Sequence, residues 1–519
     1  MEKNVLEFLE NSQRMYGEKT ACADMNNELT YTQLMNQAKF IGSCLSLKIK
    51  PTQGVPVYMD KTCNTLSLFM GIVYAGGYYC MLDTTHPVER INLILDTIQA
   101  DILVVDNKSA KKAEKLGFQG EIINLDELLE EYDGQAVDSE AQERLEKIRE
   151  QALDTDPLYS IFTSGSTGVP KGVIVNHRST IDFIDCFTET FGITNEDVIG
   201  NQAPFDFDVS VKDIYSSLKT GATLQLIPKM CFSFPTKLLD FLDDRKVTTI
   251  IWAVSALCIV TTLNGFEYKR PSSLNKIMFS GEVMPIKHLN AWRVQYPDAM
   301  FVNLYGPTEI TCNCTYYIID REFGLDEKLP MGKPFANERV FLLDDEDKLV
   351  DAGRPGELGE ICVSGTAVTM GYLCNPEKTA AAFVQNPLND RYLETIYRTG
   401  ALGYYSEDGE LFFSSRKDFQ IKHMGHRIEL GEIETYMNAI EGLLRSCCIF
   451  DTDENKILGF FEIEGASELD RKGVTHALKD KVPQWMIPNV LVKVETMPIT
   501  KNGKIDRKEL MKIYKEQEA

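Results

Sequence analysis

Apolar residues over the first 400 or so positions follow two spacings, which predict different elements. The segment LTYTQLMNQAKFIGSCL, from Leu29, places them at helical spacing, whereas GVPVYMD, from Gly54, is a short apolar run typical of a buried strand. A second helical stretch, TLSLFMGIVYAGG, follows at Thr65. This alternation predicts an α/β fold with layers of parallel sheet.

The pattern changes after about Arg416, where the predicted elements become short. They are a helix in ELGEIETYMNAIEGLL, strands in ILGFFEIE and VLVKVE, a helix opening at Ser467-x-x-Asp470, the hairpin signal Asn502-Gly503 and a final polar helix. A chain of 519 residues is long enough for two or more domains. We therefore predict a large domain over residues 1–415 and a small α+β domain over residues 416–519.

Charge narrows the possible partners. With 54 basic and 77 acidic residues the net charge is −23, which argues against a nucleic-acid or anionic-membrane partner. Part of the acidity lies between Leu125 and Asp156, which reads as a solvated helical insertion. The N-terminus lacks the apolar core of a signal peptide, and the 13 cysteines include no C-x-x-C pair. These features predict a cytoplasmic protein.

The decapeptide TSGSTGVPKG, from Thr163 to Gly172, concentrates glycine, hydroxyl groups and one lysine between two predicted strands, LYSIF and GVIVNH. Backbone N–H groups, hydroxyls and Lys171 suit an anion with several oxygens, such as phosphate. The G-x-x-x-x-G-K-[ST] loop does not match, because Gly172 follows Lys171. The loop must therefore hold mobile phosphates with its own donors; the alternative is a flexible surface hairpin.

Further motifs follow in order: AGGYYCMLD from Ala75, FDFDVSVKDIY from Phe205, YGPTE from Tyr305, GELGEICVSG from Gly356, YRTGALG from Tyr397, RKDFQIKHMGHRIELGEIE from Arg416 and NGKIDR from Asn502. Together with TSGSTGVPKG, this series resembles the adenylate-forming, or AMP-binding, superfamily. That superfamily includes peptide-synthetase adenylation domains, acyl-CoA synthetases and luciferases. The resemblance covers nearly the whole chain.

The resemblance implies that ATP and a carboxylic acid give an acyl-adenylate and pyrophosphate, usually before transfer to a thiol. Charge develops on the α-phosphate as a carboxylate attacks, so cations and hydrogen-bond donors are needed there. By resemblance Lys504 contacts the carboxylate and α-phosphate, Thr308 donates to the α-phosphate, and Glu309 binds Mg²⁺.

The implied nucleotide site has two parts. The glycine-rich loop would cradle the β- and γ-phosphates through Thr163, Ser164, Gly165, Ser166, Thr167, Gly168 and Lys171. Tyr305 would offer its ring to adenine, with Asn303 at the adenine edge and Gly306 beside it, and Arg416 would reach the nucleotide. Asp418 matches the hinge about which the small domain rotates, and Gly425 matches a glycine that lines the thiol tunnel.

Asp208 matches the position that pairs with the α-ammonium of an amino-acid substrate, since a buried ammonium needs a countercharge. The alternative is a helix N-cap, and both roles could coexist. The other pocket positions carried over from the motifs are Val209, Lys212, Ala253, Met278, Ser280, Gly281, Leu304, Cys312 and Asn313. This mixture favours a small or polar, serine-like side chain. Lys212 would pair with an acidic substrate or extend away from the pocket.

Two segments, FDFDVSVKDIYSSLKTGATL and FSGEVMP, are also similar to D-alanine carrier-protein ligases. Those enzymes carry cysteine where this chain has Ser280, which argues against D-alanine. The chain contains no L-G-G-x-S carrier motif and no H-H-x-x-x-D-G condensation motif. It therefore resembles a free-standing enzyme that needs a phosphopantetheine carrier protein, or another acceptor, in trans.

One motif departs from the family. Where Y-R-T-G-D-L places an aspartate on the ribose hydroxyls, this chain reads YRTGAL with Ala401. Each lost charge-assisted hydrogen bond typically costs about 1.5–3 kcal/mol. An engineered substitution, compensation by a neighbour, or a degenerate protein that binds without catalysing would explain Ala401, and the other intact motifs disfavour general decay. Besides the adenylating enzyme, an acyl- or aryl-CoA synthetase and a non-catalytic binding protein stay open as alternatives.

Overall fold

Two parts of the chain form separate sheets and separate cores in the computed structural model. The structure describes residues 2–165, 168–417, 419–463, 469–499 and 505–518. We refer to residues 2–417 as the body and to residues 419–518 as the C-terminal region. The predicted division between 415 and 416 stays a prediction.

Two largely parallel sheets form the centre of the body. The first has six strands in the spatial order Glu121–Asn124, Ile102–Val105, Gly54–Tyr58, Tyr78–Leu82, Pro157–Thr163 and Lys171–Asn176. The second has nine, in the order Lys333–Pro334, Thr315–Ile318, Met300–Tyr305, Lys276–Ser280, Thr249–Ala253, Val198–Asn201, Thr223–Leu226, Thr20–Ala23 and Glu28–Thr30. The strands in the middle of both sheets are parallel, which confirms the predicted α/β class. Antiparallel pairs occur towards the sheet edges.

A third sheet in the body is antiparallel, which the sequence analysis did not predict. Its strands are Leu349–Val350, Glu338–Leu343, Gly359–Gly365, Thr395–Tyr405 and Phe383–Gln385, and Leu411–Arg416 pairs with Thr395–Tyr405. Continuous apolar runs such as EICVSG do not separate this arrangement from a parallel one.

Helices cover the faces of the parallel sheets. In the body they are Leu6–Tyr16, Tyr31–Leu45, Cys63–Tyr74, Val88–Ile98, Ala110–Ala113, Leu125–Glu130, Ser139–Gln151, His177–Phe191, Val209–Thr220, Pro235–Asp244, Val254–Thr262, Gly265–Tyr268, Ile286–Gln295 and Pro376–Ala382, with 3₁₀ turns at Lys229–Ser233 and Thr308–Ile310. Within the described ranges, no helix is both long enough and apolar enough to cross a bilayer.

Helix formation in the body follows the predicted periodicity. Thr30 and Thr62 each close a capping box at the start of Tyr31–Leu45 and Cys63–Tyr74, which satisfies N–H groups that a helix leaves unpaired. The acidic insertion forms Leu125–Glu130 and Ser139–Gln151, and the latter buries only Ala141 and Leu145, as a solvated helix should.

The C-terminal region contains a hairpin, Gln420–His423 with His426–Glu429, and a three-stranded sheet in the order Leu443–Asp451, Lys456–Ile463 and Val490–Lys493. Its helices are Leu430–Asn438, Arg471–Lys479 and Arg507–Glu518, with a 3₁₀ turn at Gln484–Met486. The strands predicted in ILGFFEIE and VLVKVE are confirmed.

Two helix predictions in this region were wrong in their bounds. The first helix ends at Asn438, because Gly442 turns the chain with φ +83° into the strand Leu443–Asp451. The second begins at Arg471, and the carboxylate of Asp470 accepts the Gly473 N–H, so Asp470 is the N-cap. Ser467 and Asn502-Gly503 lie outside the described residues.

Candidate active site

A cavity of about 90 Å³ lies where strands of both parallel sheets end, under the C-terminal region. Thr163 ends a strand of the six-stranded sheet, and Ser280 ends a strand of the nine-stranded sheet. Trp485 of the C-terminal region completes the wall. Carboxyl ends of parallel strands are the usual place for ligand sites in open α/β sheets.

Eleven of the predicted site residues line this cavity. They are Thr163, Ser164, Asp208, Val209, Ser280, Gly281, Gly306, Thr308, Cys312, Asn313 and Gly425. The set comes from five separate segments of the chain, so the fold brings together motifs that are distant in sequence.

Four predicted pocket positions lie outside the cavity wall. Met278 and Leu304 are buried in the core, and Lys212 is fully buried behind the wall. Ala253 is half-buried, and its N–H donates to the Gln202 side chain (3.3 Å). Their assignment as pocket residues stays a prediction.

Asp208 occupies the N-cap position of Val209–Thr220, but its side chain makes no capping bond. Its carboxylate can therefore bind a ligand in the cavity. The side chain does not cap the helix in this structure. Burial lowers the pKa of Lys422, another cavity residue, and the charge of Asp208 acts in the opposite direction. Asp208 thus already stabilises an ammonium group in this cavity.

Lys212 does not extend to solvent, which excludes one of its two predicted roles. Its ammonium donates to Oδ1 of Asn313 (2.6 Å), and Lys212 is 0% exposed. Because Oδ1 accepts this bond, the NH₂ group of Asn313 is the part left to donate to a ligand in the cavity. Lys212 therefore orients a polar group of the cavity wall.

Glu309 is fully buried beside two cations. Its carboxylate receives hydrogen bonds from Arg427 Nη1 (2.6 Å) and the Tyr372 hydroxyl (2.8 Å). Burial by itself would raise the pKa of Glu309, but the charges of Arg427 and then Lys171 outweigh it and lower the pKa to about 2. Glu309 is therefore ionised at neutral pH.

The glycine-rich loop lies between the two predicted strands, which pair antiparallel, and a carboxylate binds to it. The Gly165 N–H donates to Oε2 of Glu432 (3.1 Å). The Ser164 hydroxyl donates to the carbonyl of Arg427 (2.9 Å) and accepts the Glu429 N–H (3.1 Å). Ser166 and Thr167 lie outside the described residues. The Gly165 N–H, one of the donors predicted for phosphate, thus binds a carboxylate.

Three of the predicted adenine and nucleotide contacts, Asn303, Tyr305 and Arg416, lie away from the cavity wall. Asn303 donates to the Pro330 carbonyl (2.8 Å), and Arg416 Nη2 donates to the Thr399 carbonyl (3.0 Å). Tyr305 packs partly buried against a small apolar cluster. Asp418 and Lys504 lie outside the described residues.

Ala401 belongs to that same apolar cluster and is 1% exposed. Its fully buried neighbours are Met331, Leu342, Val350, Ile361 and Leu411. Glu360 is a carboxylate in contact with the same strand, but it already binds Arg398 (2.8 Å) and the Gly400 N–H (3.0 Å). Glu360 therefore does not replace the missing aspartate in this arrangement.

The sequence model of the AMP-binding enzyme family matches residues 9–373, well over half of the chain. The chain belongs to this family. It is an adenylate-forming ligase, in agreement with the prediction. A curated relative, zwittermicin A synthase ZmaJ of Bacillus cereus, is 32% identical over 93% of this chain and 90% of its own length. Other curated relatives are longer, and the chain spans 7% to 45% of their length.

Solved structures of adenylating enzymes share the fold. The adenylation domain AlmE of Vibrio cholerae, in complex with glycyl-adenosine-5′-phosphate, has a TM-score of 0.84 at 22% identity, over 99% of this chain and 98% of that one. Holo-PA1221, which contains adenylation and PCP domains, has a TM-score of 0.83 at 21% identity, over 98% of this chain and 84% of that one. These identities establish the fold alone.

In this AMP-binding enzyme the hairpin of the C-terminal region reaches into the active site. The Gly425 N–H donates to Oε1 of Glu282 (2.8 Å), and Gly425 has φ +82°. A Cβ at Gly425 would lie 3.3 Å from Cβ of Ala253, so both the backbone and the space favour glycine. Gly425 thus lines the cavity, and its place in a thiol tunnel stays a prediction.

Several residues of the candidate site were missed from sequence. Lys422, His426 and Arg427 line the cavity and stand inside the recognised motif, so their place in the hairpin was the available signal. Trp485 stacks on His426 with ring centroids 3.8 Å apart, and the only signal for it was that tryptophan is rare in this chain.

Ion pairs hold the C-terminal region against the body. Arg90 pairs with the fully buried Glu432, and Lys481 pairs with Glu89 at the surface (2.6 Å). Burial raises the pKa of Glu432, and Arg90 acts in the opposite direction. A buried pair of this kind is strongly destabilised when one partner is removed, whereas an exposed pair contributes little.

Proposed function

We propose that this enzyme activates an amino acid with ATP, forming an aminoacyl-adenylate and pyrophosphate, and transfers the aminoacyl group to the phosphopantetheine thiol of a carrier protein. Asp208 is the observation that carries the proposal. Its carboxylate lines the cavity without serving as a helix cap, so it can pair with the substrate α-ammonium. An acid without an amino group would offer this carboxylate no cationic group to pair with.

The cavity wall supports a small or polar side chain as substrate. Ser280, Cys312 and Asn313 offer polar groups, and the bond from Lys212 leaves the Asn313 amide as a donor. A hydroxyl, carboxamide or carboxylate oxygen could accept from it. Serine fits this donor, whereas D-alanine has no side-chain acceptor, so we place serine-like substrates ahead of D-alanine.

Thr308 lines the cavity and Gly165 offers an N–H, which supports their roles towards the α-phosphate and the departing pyrophosphate. Glu309 fits Mg²⁺, because it is an ionised, buried carboxylate that already accepts a cationic partner, Arg427. When bound, Mg²⁺ would neutralise phosphate charge. Arg427 would first have to leave Glu309, so adenylation requires a different pose of the C-terminal region.

That second pose would also bring Lys504 to the reacting carboxylate and α-phosphate, with Asp418 as the hinge. In the pose seen here Gly425 lies beside the cavity instead, which supports a thiol-transfer role for this arrangement. PA1221 joins an adenylation domain to a PCP domain, and this supports a carrier protein as acceptor. Supply of the carrier in trans, and a cytoplasmic location, are parts of the same proposal.

A pyrophosphate-exchange assay with L- and D-amino acids, fatty acids and aryl acids tests the function. We expect exchange to depend on a small or polar amino acid, in the chain itself and more strongly in Ala401→Asp. If Ala401→Asp responded to a fatty or aryl acid but to no amino acid, the enzyme would be an acyl- or aryl-CoA synthetase. Binding of ATP and amino acid without exchange in either protein would favour the non-catalytic alternative.

A further inference from the structure

Three side chains with metal-binding groups meet at the edge of the cavity, two of them on its wall, at positions that the proposed reaction does not use. Asp83 directly follows the strand Tyr78–Leu82, His86 lies three residues further, and Asp206 precedes the helix Val209–Thr220. One ligand atom from each lies within 4.8 Å of the other two. His86 and Asp206 both line the cavity, and Asp208 is two residues beyond Asp206.

His86 is the residue that points to a missing ligand. Both of its ring nitrogens are enclosed, and neither has a hydrogen-bond partner among the described residues. A buried polar group without a partner costs about 1–3 kcal/mol, so such groups are rare unless something binds them. A cation bound by one ring nitrogen would remove this deficit, because neutral imidazole is a common metal ligand.

The donor types select the cation. One imidazole and two carboxylates suit first-row transition metals such as Zn²⁺ and Co²⁺ better than Mg²⁺ or Ca²⁺, which prefer oxygen alone. Metal bonds of about 2.0–2.2 Å place opposite ligand atoms up to about 4.2 Å apart, so small side-chain rotations would close this set. Of the neighbouring cations, Arg90 is paired with Glu432 and Lys229 is exposed.

We propose that Asp83, His86 and Asp206 form a binding site for a divalent transition-metal cation, separate from the Mg²⁺ position proposed at Glu309. The site would lie at the contact between the body and the C-terminal region, since the His86 and Trp485 rings are 5.2 Å apart. A cation here would therefore affect the surroundings of Trp485. The site needs neither ATP nor an active enzyme, so failure of the proposed adenylation would leave it standing.

Co²⁺ binding to the chelator-treated full chain tests the site, by equilibrium dialysis and visible absorption. We expect one Co²⁺ per chain with the weak bands of oxygen and nitrogen ligands, rather than the intense near-ultraviolet band of thiolate ligands. His86→Gln and Asp206→Asn should each weaken binding at least tenfold. The exposed His476 provides a matched control, and His476→Gln should bind as the unaltered chain does.

Tryptophan fluorescence gives a second measurement that depends on position. Paramagnetic Co²⁺ near His86 should quench Trp485, and Trp485→Phe should remove that quenching while the stoichiometry stays the same. Circular dichroism of each variant checks folding, and Asp83→Asn replaces any variant that fails it. Absence of Co²⁺ binding, or binding unaffected by the folded His86 and aspartate variants, would overturn the proposal.

Discussion

The two sides of the active site differ in what occupies them. On the acyl side, the cavity keeps Asp208 and the Asn313 amide free for a ligand. On the phosphate side, groups predicted to meet ATP or Mg²⁺ are bound by protein: Arg427 pairs with Glu309, and Glu432 takes the Gly165 N–H. In this pose of the C-terminal region the proposed amino-acid pocket is therefore formed, while protein groups occupy the proposed phosphate site.

This difference indicates how two reactions can share one site. The substituting groups match the chemistry of what they replace: a guanidinium stands where a metal cation is proposed, and a carboxylate stands where a phosphate is proposed. Protein groups therefore balance the charges of the proposed phosphate site when no nucleotide phosphate is bound. Variants that act on one side alone should separate the two functions.

Asp208→Asn should have the largest effect and should act on the acyl side alone. It removes the countercharge for the substrate ammonium, which for a buried pair costs about 3–5 kcal/mol, or roughly a hundred- to several-thousand-fold in amino-acid-dependent exchange. ATP binding, measured by calorimetry, should stay within about twofold. Asp96→Asn, at an exposed carboxylate, is the control. Equal losses of ATP and amino-acid binding would contradict the separation of the two sides.

Ala401→Asp should act on the nucleotide side alone. One restored charge-assisted bond to the ribose is worth about 1.5–3 kcal/mol, so ATP affinity should rise about ten- to a hundredfold while amino-acid affinity changes little. The carboxylate would enter an apolar cluster, and the protein without ATP should lose stability. Ala401→Asn serves as the uncharged comparison. If ATP affinity were unchanged in both variants, the assignment of position 401 to the ribose hydroxyls would be wrong.

A double-mutant cycle with Arg90→Gln and Glu432→Gln should measure how firmly the C-terminal region covers the phosphate side. Residues in one buried pair typically couple by about 0.5–3 kcal/mol, and we expect a value in the upper half of this range. Protease protection of the C-terminal region gives the readout. The exposed pair Lys481 and Glu89 should couple by less than about 1 kcal/mol. Equal coupling free energies in the two pairs would mean that burial does not determine how strongly an ion pair couples.

The pH dependence of stability at His177 tests a residue that lies outside both the acyl side and the phosphate side of the site. His177 Nδ1 accepts the Val5 N–H, and burial, with Arg149 adding to it, lowers the pKa of His177 to about 3. The unfolded chain, with a histidine pKa of about 6.5, therefore binds the proton first, so stability falls below about pH 6.5, by about 1.4 kcal/mol per pH unit, until about pH 3. Urea unfolding at several pH values should give His177→Gln a slope that is shallower by about 1.4 kcal/mol per pH unit than that of the unaltered protein.

The sequence predicted the parallel layers and the two strands beside the glycine-rich loop well, because continuous apolar runs and amphipathic stretches alternate clearly there. The antiparallel sheet that carries Ala401 was missed, since its strands have the same apolar character as the parallel ones. Register, not composition, separates the two, and register depends on contacts between distant segments.

For the candidate site, motifs predicted the cavity residues that are local in sequence, such as Thr308 and Asp208. They did not reveal that Lys212 acts through Asn313, 101 positions away along the chain, or that Glu432 reaches Gly165. Met278 and Leu304 were assigned by motif position, and the packing of the core turns them from the cavity. Such pairings arise from tertiary contacts, which single motifs do not encode.

The contact between Glu432 and the Gly165 N–H has a consequence for the apparent affinity for ATP. A nucleotide that needs this donor can bind only the fraction of molecules in which Glu432 has withdrawn, so the measured dissociation constant equals the intrinsic one divided by that fraction. Each 1.4 kcal/mol added to the covered pose would weaken ATP binding about tenfold. Substitutions far from the nucleotide, including those at Lys481, would therefore change the apparent ATP affinity only by changing the fraction of molecules in the covered pose.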